Sequence, residues 1–164
     1  VANVEVTGGA QKVAPFIGYV SNNGGDGVFS NCSVTNSSVE ADSNMPVGDG
    51  TCQAGGFIGY LQAIDRNVTF ENNRVEGVTV TSGGLWEDQP EAASHVFVGN
   101  LINLSKTEKT ICKFTGNSVT NCSLKNAAVM SWATEFFGFY YTAPQQPKFP
   151  IVNTVIVDGK TLVE

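Results

Sequence analysis

The sequence predicts an all-β fold: a right-handed parallel β-helix, or β-solenoid-like stack, of about four repeats of roughly 40 residues, forming one domain over residues 1–164. Three observations predict it. An apolar heptapeptide built around one glycine is written four times, as APFIGYV (14–20), GGFIGYL (55–61), HVFVGNL (95–101) and TEFFGFY (134–140). A second block, Phe-x4-Val-x4-Val, keeps step with it at Phe29–Val34–Val39, Phe70–Val75–Val80 and Phe114–Val119–Leu124. Asn or Gly stands two places after seven of these nine markers, at Asn31, Asn36, Asn72, Gly77, Gly116, Asn121 and Asn126.

The heptapeptides read as strands, because they are rich in Phe, Ile, Tyr and Val and carry no helical stripe. Period-two alternation sets Phe16, Gly18 and Val20 on one face, and Ile17 and Tyr19 on the other. Gly18, Gly59, Gly99 and Gly138 mark a close backbone approach or a bend. Stacked coils would align Phe16, Phe57, Phe97 and Phe136 in one ladder, and Phe29, Phe70 and Phe114 in another.

The five-residue step of the Phe/Val block is too long for a plain strand. It calls for short strands joined by corners, and Asn and Gly accept the left-handed backbone a corner needs. The opening VANVEV matches the last six positions of the block and places Asn3 at a corner. VNTVIV (152–157) matches the same six positions again. A plain β-helix coil is shorter than one repeat, so the surplus goes to loops such as 21–28, 40–54 and 81–94, or each repeat makes more than one coil. The proline-rich tail 140–150 is a poor central strand and is expected to run outside the stack or cover its last coil. The rival architecture is a β-sandwich of duplicated units, in which equivalent residues would not stack on one axis.

The GGFIGYL heptapeptide followed by Phe-x-Asn-Asn-x-Val resembles the GLUG motif family, glycine-rich repeats of bacterial secreted and surface proteins. The matching residues are Gly55, Gly56, Phe57, Ile58, Gly59 and Tyr60, then Phe70, Asn72, Asn73 and Val75. Pro15, Phe16, Ile17, Gly18 and Tyr19 match less fully, followed by Phe29, Asn31, Cys32 and Val34. Val96 and Glu135 replace the second glycine in the later copies. The resemblance covers about two thirds of the chain. It implies a secreted or cell-surface location and a stalk or binding module, and it carries no catalytic residues over. The metallopeptidase activity found in some members of the family would need a zinc motif, H-E-x-x-H, which this sequence lacks.

Charge narrows the function further. Nine basic and fifteen acidic residues give a net charge of −6, and the basic ones are scattered, which argues against nucleic acid as a partner. No apolar run is long enough to cross a membrane as a helix, so membrane insertion is not expected. The chain opens inside a patterned segment, which suggests a fragment of a larger protein with adjacent domains as partners.

A non-catalytic adhesion, binding or spacer role follows, with a surface glycan or a host protein as ligand. The candidate binding residues are the aromatics Trp86, Trp132, Tyr140 and Tyr141. The competing class is a polysaccharide-active β-helix enzyme working through paired carboxylates, with Asp26, Asp65, Glu71 and Glu76 as candidates and Arg74 nearby. His95 is the only histidine and is read as a strand-edge residue rather than a ligand or base. No metal site or cofactor is expected. NNGGDG (22–27) and VGDGT (47–51) have the composition of calcium loops but lack the EF-hand register, so they read first as turns. The four cysteines, Cys32, Cys52, Cys112 and Cys122, are either buried thiols or paired in one of three ways. Five N-x-S/T sequons, at Asn31, Asn36, Asn67, Asn103 and Asn121, arise largely from the corner pattern itself.

Overall fold

The computed structural model describes residues 1–7, 12–22, 25–41, 53–64, 66–81, 95–104, 112–125, 137–142, 151–157 and 160–162. Strand β1 (Glu5–Val6) precedes a first coil of β2 (Lys12–Val13), β3 (Ile17–Asn22), β4 (Gly27–Ser30), β5 (Ser33–Thr35) and β6 (Ser38–Glu40). The second coil repeats it as β7 (Gln53–Ala54), β8 (Ile58–Ile64), β9 (Val68–Glu71), β10 (Arg74–Glu76) and β11 (Thr79–Thr81). A third has β12 (Val98–Leu104), β13 (Cys112–Thr120) and β14 (Ser123–Lys125), and then come β15 (Phe137–Thr142), β16 (Ile151–Val157) and β17 (Lys160–Leu162).

Like strands of successive coils pair in parallel, giving sheets β1-β6-β11-β14 and β15-β12-β8-β3, a seven-stranded sheet containing β4, β5, β9, β10 and β13, and the short β2-β7 ladder. Among the described strands only β16 and β17 pair antiparallel. Each repeat therefore makes one coil: Phe29 lies opposite Phe70 and Phe70 opposite Phe114, as do Val34, Val75 and Val119. Parallel, in-register stacking of equivalent residues defines a solenoid-class β architecture and sets the sandwich aside.

The corners form where Asn and Gly stand. Asn3, Asn31, Asn36, Asn72 and Asn121 adopt φ of 56°, 55°, 48°, 53° and 53°, and Gly77 and Gly116 adopt 62° and 66°. Each corner also continues the ladder. Asn31 N–H donates to the Glu71 carbonyl at 2.9 Å, and Asn36 N–H donates to that of Glu76 at 2.9 Å. At these bends the backbone donor is used rather than lost. Asn126 lies outside the described residues.

The core fills the space between the strands. Phe57, Phe70, Phe97, Phe114, Val34, Val75 and Val80 have no exposed surface. Phe16, Phe57 and Phe97 stack at 4.8 and 4.9 Å, and Phe29, Phe70 and Phe114 at 5.0 and 4.7 Å. The two columns meet edge to face, with Phe70 5.5 Å from Phe97 at 64°. Each favourable ring pair adds about 0.5–1.5 kcal/mol beyond area burial. Phe136 lies outside the described residues.

Two sequence readings change. VNTVIV does not take the last six positions of the block: Val152 faces Lys113 and Val157 faces Val119. The register shifts between Phe114 and Asn117, and Asn153 lies opposite Phe114 rather than at a corner. VANVEV does take those positions, with Val6 opposite Val39. The tail reading also moves, because Tyr140–Thr142 continue β15 against β12; residues 143–150 lie outside the described region.

Neither Cys32 nor Cys122 forms a disulfide, which removes every arrangement that pairs all four cysteines. Each follows a corner asparagine and turns its sulfur onto the carbonyl two residues back, Cys32 on Ser30 at 3.3 Å and Cys122 on Thr120 at 3.4 Å. Ser37 does the same on Thr35 at 2.8 Å. The thiol stands in for a hydroxyl at the corner. Cys52 lies outside the described residues.

Candidate ligand-binding face

The sheet β15-β12-β8-β3 presents the surface most suited to a ligand. Its glycine column lies against the short β2-β7 ladder: a side-chain carbon at Gly59 would sit 2.7 Å from the Val13 carbonyl, and one at Gly99 2.7 Å from that of Ala54. This close approach brings Lys12 of β2 beside the sheet. Its Nζ lies 5.1 Å from the Tyr60 ring centroid and 5.8 Å from that of Tyr19.

Tyr19 and Tyr60 are neighbours across β3 and β8, with centroids 5.2 Å apart and planes tilted by 33°. Tyr19 keeps 48% of its surface exposed, on a sheet whose opposite face is packed core. Its hydroxyl donates to Gln62 Oε1 at 3.2 Å. The register carries the tyrosine column on to Asn100 and Phe139, and the Ser21–Gln62 column on to Ile102 and Tyr141. None of the four strands contains a charged residue. Aromatic rings, an amide and hydroxyls beside the Lys12 ammonium can pack against and hydrogen-bond a polar ligand.

The candidates drawn from the sequence fall elsewhere or only partly here. Trp86 and Trp132 lie outside the described residues. Tyr140 takes the register position of the buried Leu61, and Tyr141 that of Gln62. Tyr19, Tyr60, Lys12 and Gln62 were not singled out. Their signal is the tyrosine after the glycine in two heptapeptides, on the opposite parity from the core phenylalanines.

Two of the candidate carboxylates are engaged locally. Asp26 accepts from the Asn67 backbone N–H and Nδ2, both at 3.0 Å, and these bonds hold its pKa below the usual value. Glu76 pairs with Arg74 on the same strand, and Glu71 ends β9. Asp65 lies outside the described residues, as does the segment 47–51. Among the described residues no group of three or more His, Cys, Asp or Glu converges, and no helix is long and apolar enough to cross a membrane.

His95 bridges to Gly55, and its backbone N–H donates to the Ala54 carbonyl at 2.9 Å. The residue is half-buried, but Nδ1 is sealed from solvent and has no hydrogen-bond partner among the described residues. Burial pushes its pKa down to about 4.

Comparison with protein-family models, with curated proteins and with solved structures found no match.

Proposed function

We propose that this chain is a non-catalytic binding segment of a secreted or cell-surface protein of the GLUG-repeat type, built as a right-handed parallel β-helix, and that it holds a surface glycan on the face of Tyr19 and Tyr60. The handedness follows the general preference of parallel strand connections. The observation that carries the function is the exposed Tyr19 beside Tyr60, with Lys12 over their rings, on a sheet whose four strands contain no charged residue of their own. Buried rungs behind it hold the tyrosines on a rigid support, so little ordering is needed on binding. A polysaccharide-cleaving reading has less support, because Asp26 and Glu76 already hold Asn67 and Arg74.

The test is a glycan array probed with the purified chain and with the double variant Tyr19→Ala/Tyr60→Ala. Retention of a glycan by the parent chain and its loss in the variant supports the reading. Binding that survives the double substitution removes this face from it.

A further inference from the structure

We propose that the end of the stack at the first coil is an interface, and that its occupant is a second copy of this chain, docked head to head in a closed two-fold dimer. Among the described strands, those at this end have no neighbour on their outer side. β3 ends the sheet β15-β12-β8-β3, β1 ends the sheet β1-β6-β11-β14, and β4 pairs with β9 alone. An unpaired strand edge templates pairing with another chain unless charge, proline or a bulge blunts it. β3 (IGYVSN) and β4 (GVFS) contain no charged residue and no proline.

The end is apolar as well as unpaired. Phe16, Ile17, Val20 and Phe29 are half-buried, whereas their counterparts one coil on, Phe57, Ile58, Leu61 and Phe70, have no exposed surface. The two phenylalanine columns stop here, and no described ring stacks on the outer side of Phe16 or Phe29. Among the described residues the exposed large apolar side chains are Val1 at 47%, Tyr19 at 48% and Val28 at 64%. All three stand on this first coil or on the segment above it, and exposed apolar surface gathered in one place marks an interaction site.

Shape names the occupant. Residues 1–6 lie one rung above β5 and β6 and are seated there by the backbone. Thr35 N–H donates to the Val1 carbonyl at 3.0 Å, Asn3 N–H to that of Thr35 at 3.1 Å, and Ser38 N–H to that of Val4 at 2.9 Å. No described strand covers β3 and β4 in the same way. The end is therefore a step one strand spacing high, about 4.8 Å. A two-fold axis along the edge of that step sets the raised half of each copy over the lowered half of the other. Residues 1–6 of each copy then cover β3 and β4 of the other, so the surface complements itself. Edges related by this axis meet antiparallel, a pairing the fold already accepts where β17 runs against β16. At the far end the same β17 breaks the parallel ladder of the seven-stranded sheet, so a head-to-tail contact would not continue it.

The experiment is sedimentation equilibrium of the whole chain across a wide range of micromolar concentrations, with hydrogen exchange on the same samples. The mass should rise from one chain to two and stop there, and the amides of β3 and β4 should exchange more slowly as the dimer fills. Val28→Lys and Val1→Lys, both at exposed positions, should each weaken the dimer about tenfold or more, because the two-fold brings the added charges to one interface. Ser123→Lys, at an exposed position of the third coil, should leave it unchanged. A chain that stays monomeric throughout overturns the pairing and leaves this end to another polypeptide. Assembly beyond two copies overturns the closed two-fold. A dimer that is indifferent to both lysines, or whose β3 and β4 amides exchange as fast as the monomer's, uses another surface and overturns it too.

Discussion

Asn117 Oδ1 accepts two hydrogen bonds from Asn73 one coil earlier, from its backbone N–H at 3.0 Å and from its Nδ2 at 2.9 Å. Asn117 Nδ2 in turn donates to the Phe70 carbonyl at 2.9 Å, as Asn73 Nδ2 donates to that of Phe29. Asn73 Oδ1 accepts from the Cys32 backbone N–H at 3.0 Å. These side chains are 1% and 0% exposed, so water cannot replace the bonds. They tie each coil to the one before it, beside the phenylalanine columns. Asn117→Ala would orphan the buried Asn73 N–H. That costs about 1–3 kcal/mol for the backbone group alone, read as a lower urea midpoint at unchanged slope. An unchanged midpoint would show that the ladder is dispensable.

The corners make a separate prediction. Asn31 and Asn121 hold φ of 55° and 53°, where a β-branched residue is strained by about 1–2 kcal/mol. Asn31→Val should lose that much stability, and Asn31→Gly should lose little. Equal losses from the two substitutions would mean that the asparagine side chain, not its backbone conformation, matters at the corner.

Two glycines should respond unequally to the same change. A side-chain carbon at Gly59 would lie 2.7 Å from the Gly18 carbonyl, 2.7 Å from the Val13 carbonyl and 2.8 Å from the Val13 nitrogen, all rigid backbone. Gly59→Ala should cost about 1–3 kcal/mol. Gly25→Ala meets nothing within 4 Å, and should shift stability by no more than about 0.5 kcal/mol. Thermal melts of the two variants side by side decide it; similar melting points would refute the close packing of β2 and β7 on the long sheet.

Much of the coil was legible because its corners are chemically marked. A five-residue apolar step with Asn or Gly two places on has few solutions, and Asn3, Asn31, Asn36, Asn72, Gly77, Gly116 and Asn121 all turn where that spacing puts them. The inner asparagine ladder was not legible. In Glu71-Asn72-Asn73 the corner residue and the ladder residue are the same amino acid, and only the fold separates the exposed one from the buried one. VNTVIV misled because its Val spacing fits the block while its asparagine falls on a strand position. Tyr19 and Tyr60 were hidden by their own strands, since an aromatic in a β-rich heptapeptide looks like core until the neighbouring sheet shows which face is covered.

The last prediction concerns acid. His95 has a pKa of about 4 in the folded chain against 6.5 ordinarily, because Nδ1 is sealed without a partner. Its folded pKa is depressed, so between these values the unfolded chain binds a proton that the folded chain refuses. Stability is whole above pH 6.5, declines as pH falls toward 4, and changes no further below 4 on account of this group. At about 1.4 kcal/mol per pH unit the loss reaches roughly 3 kcal/mol. Asp26, whose pKa is also lowered, adds a loss in the same direction only as pH falls below the ordinary carboxylate range. The measurement is the urea midpoint of the parent chain and of His95→Gln at intervals from pH 7.5 to about pH 4. The parent should weaken across that window while the variant stays nearly flat down to about pH 5. Parallel curves would mean that His95 is protonated in the fold and that its imidazole reaches water or a carboxylate.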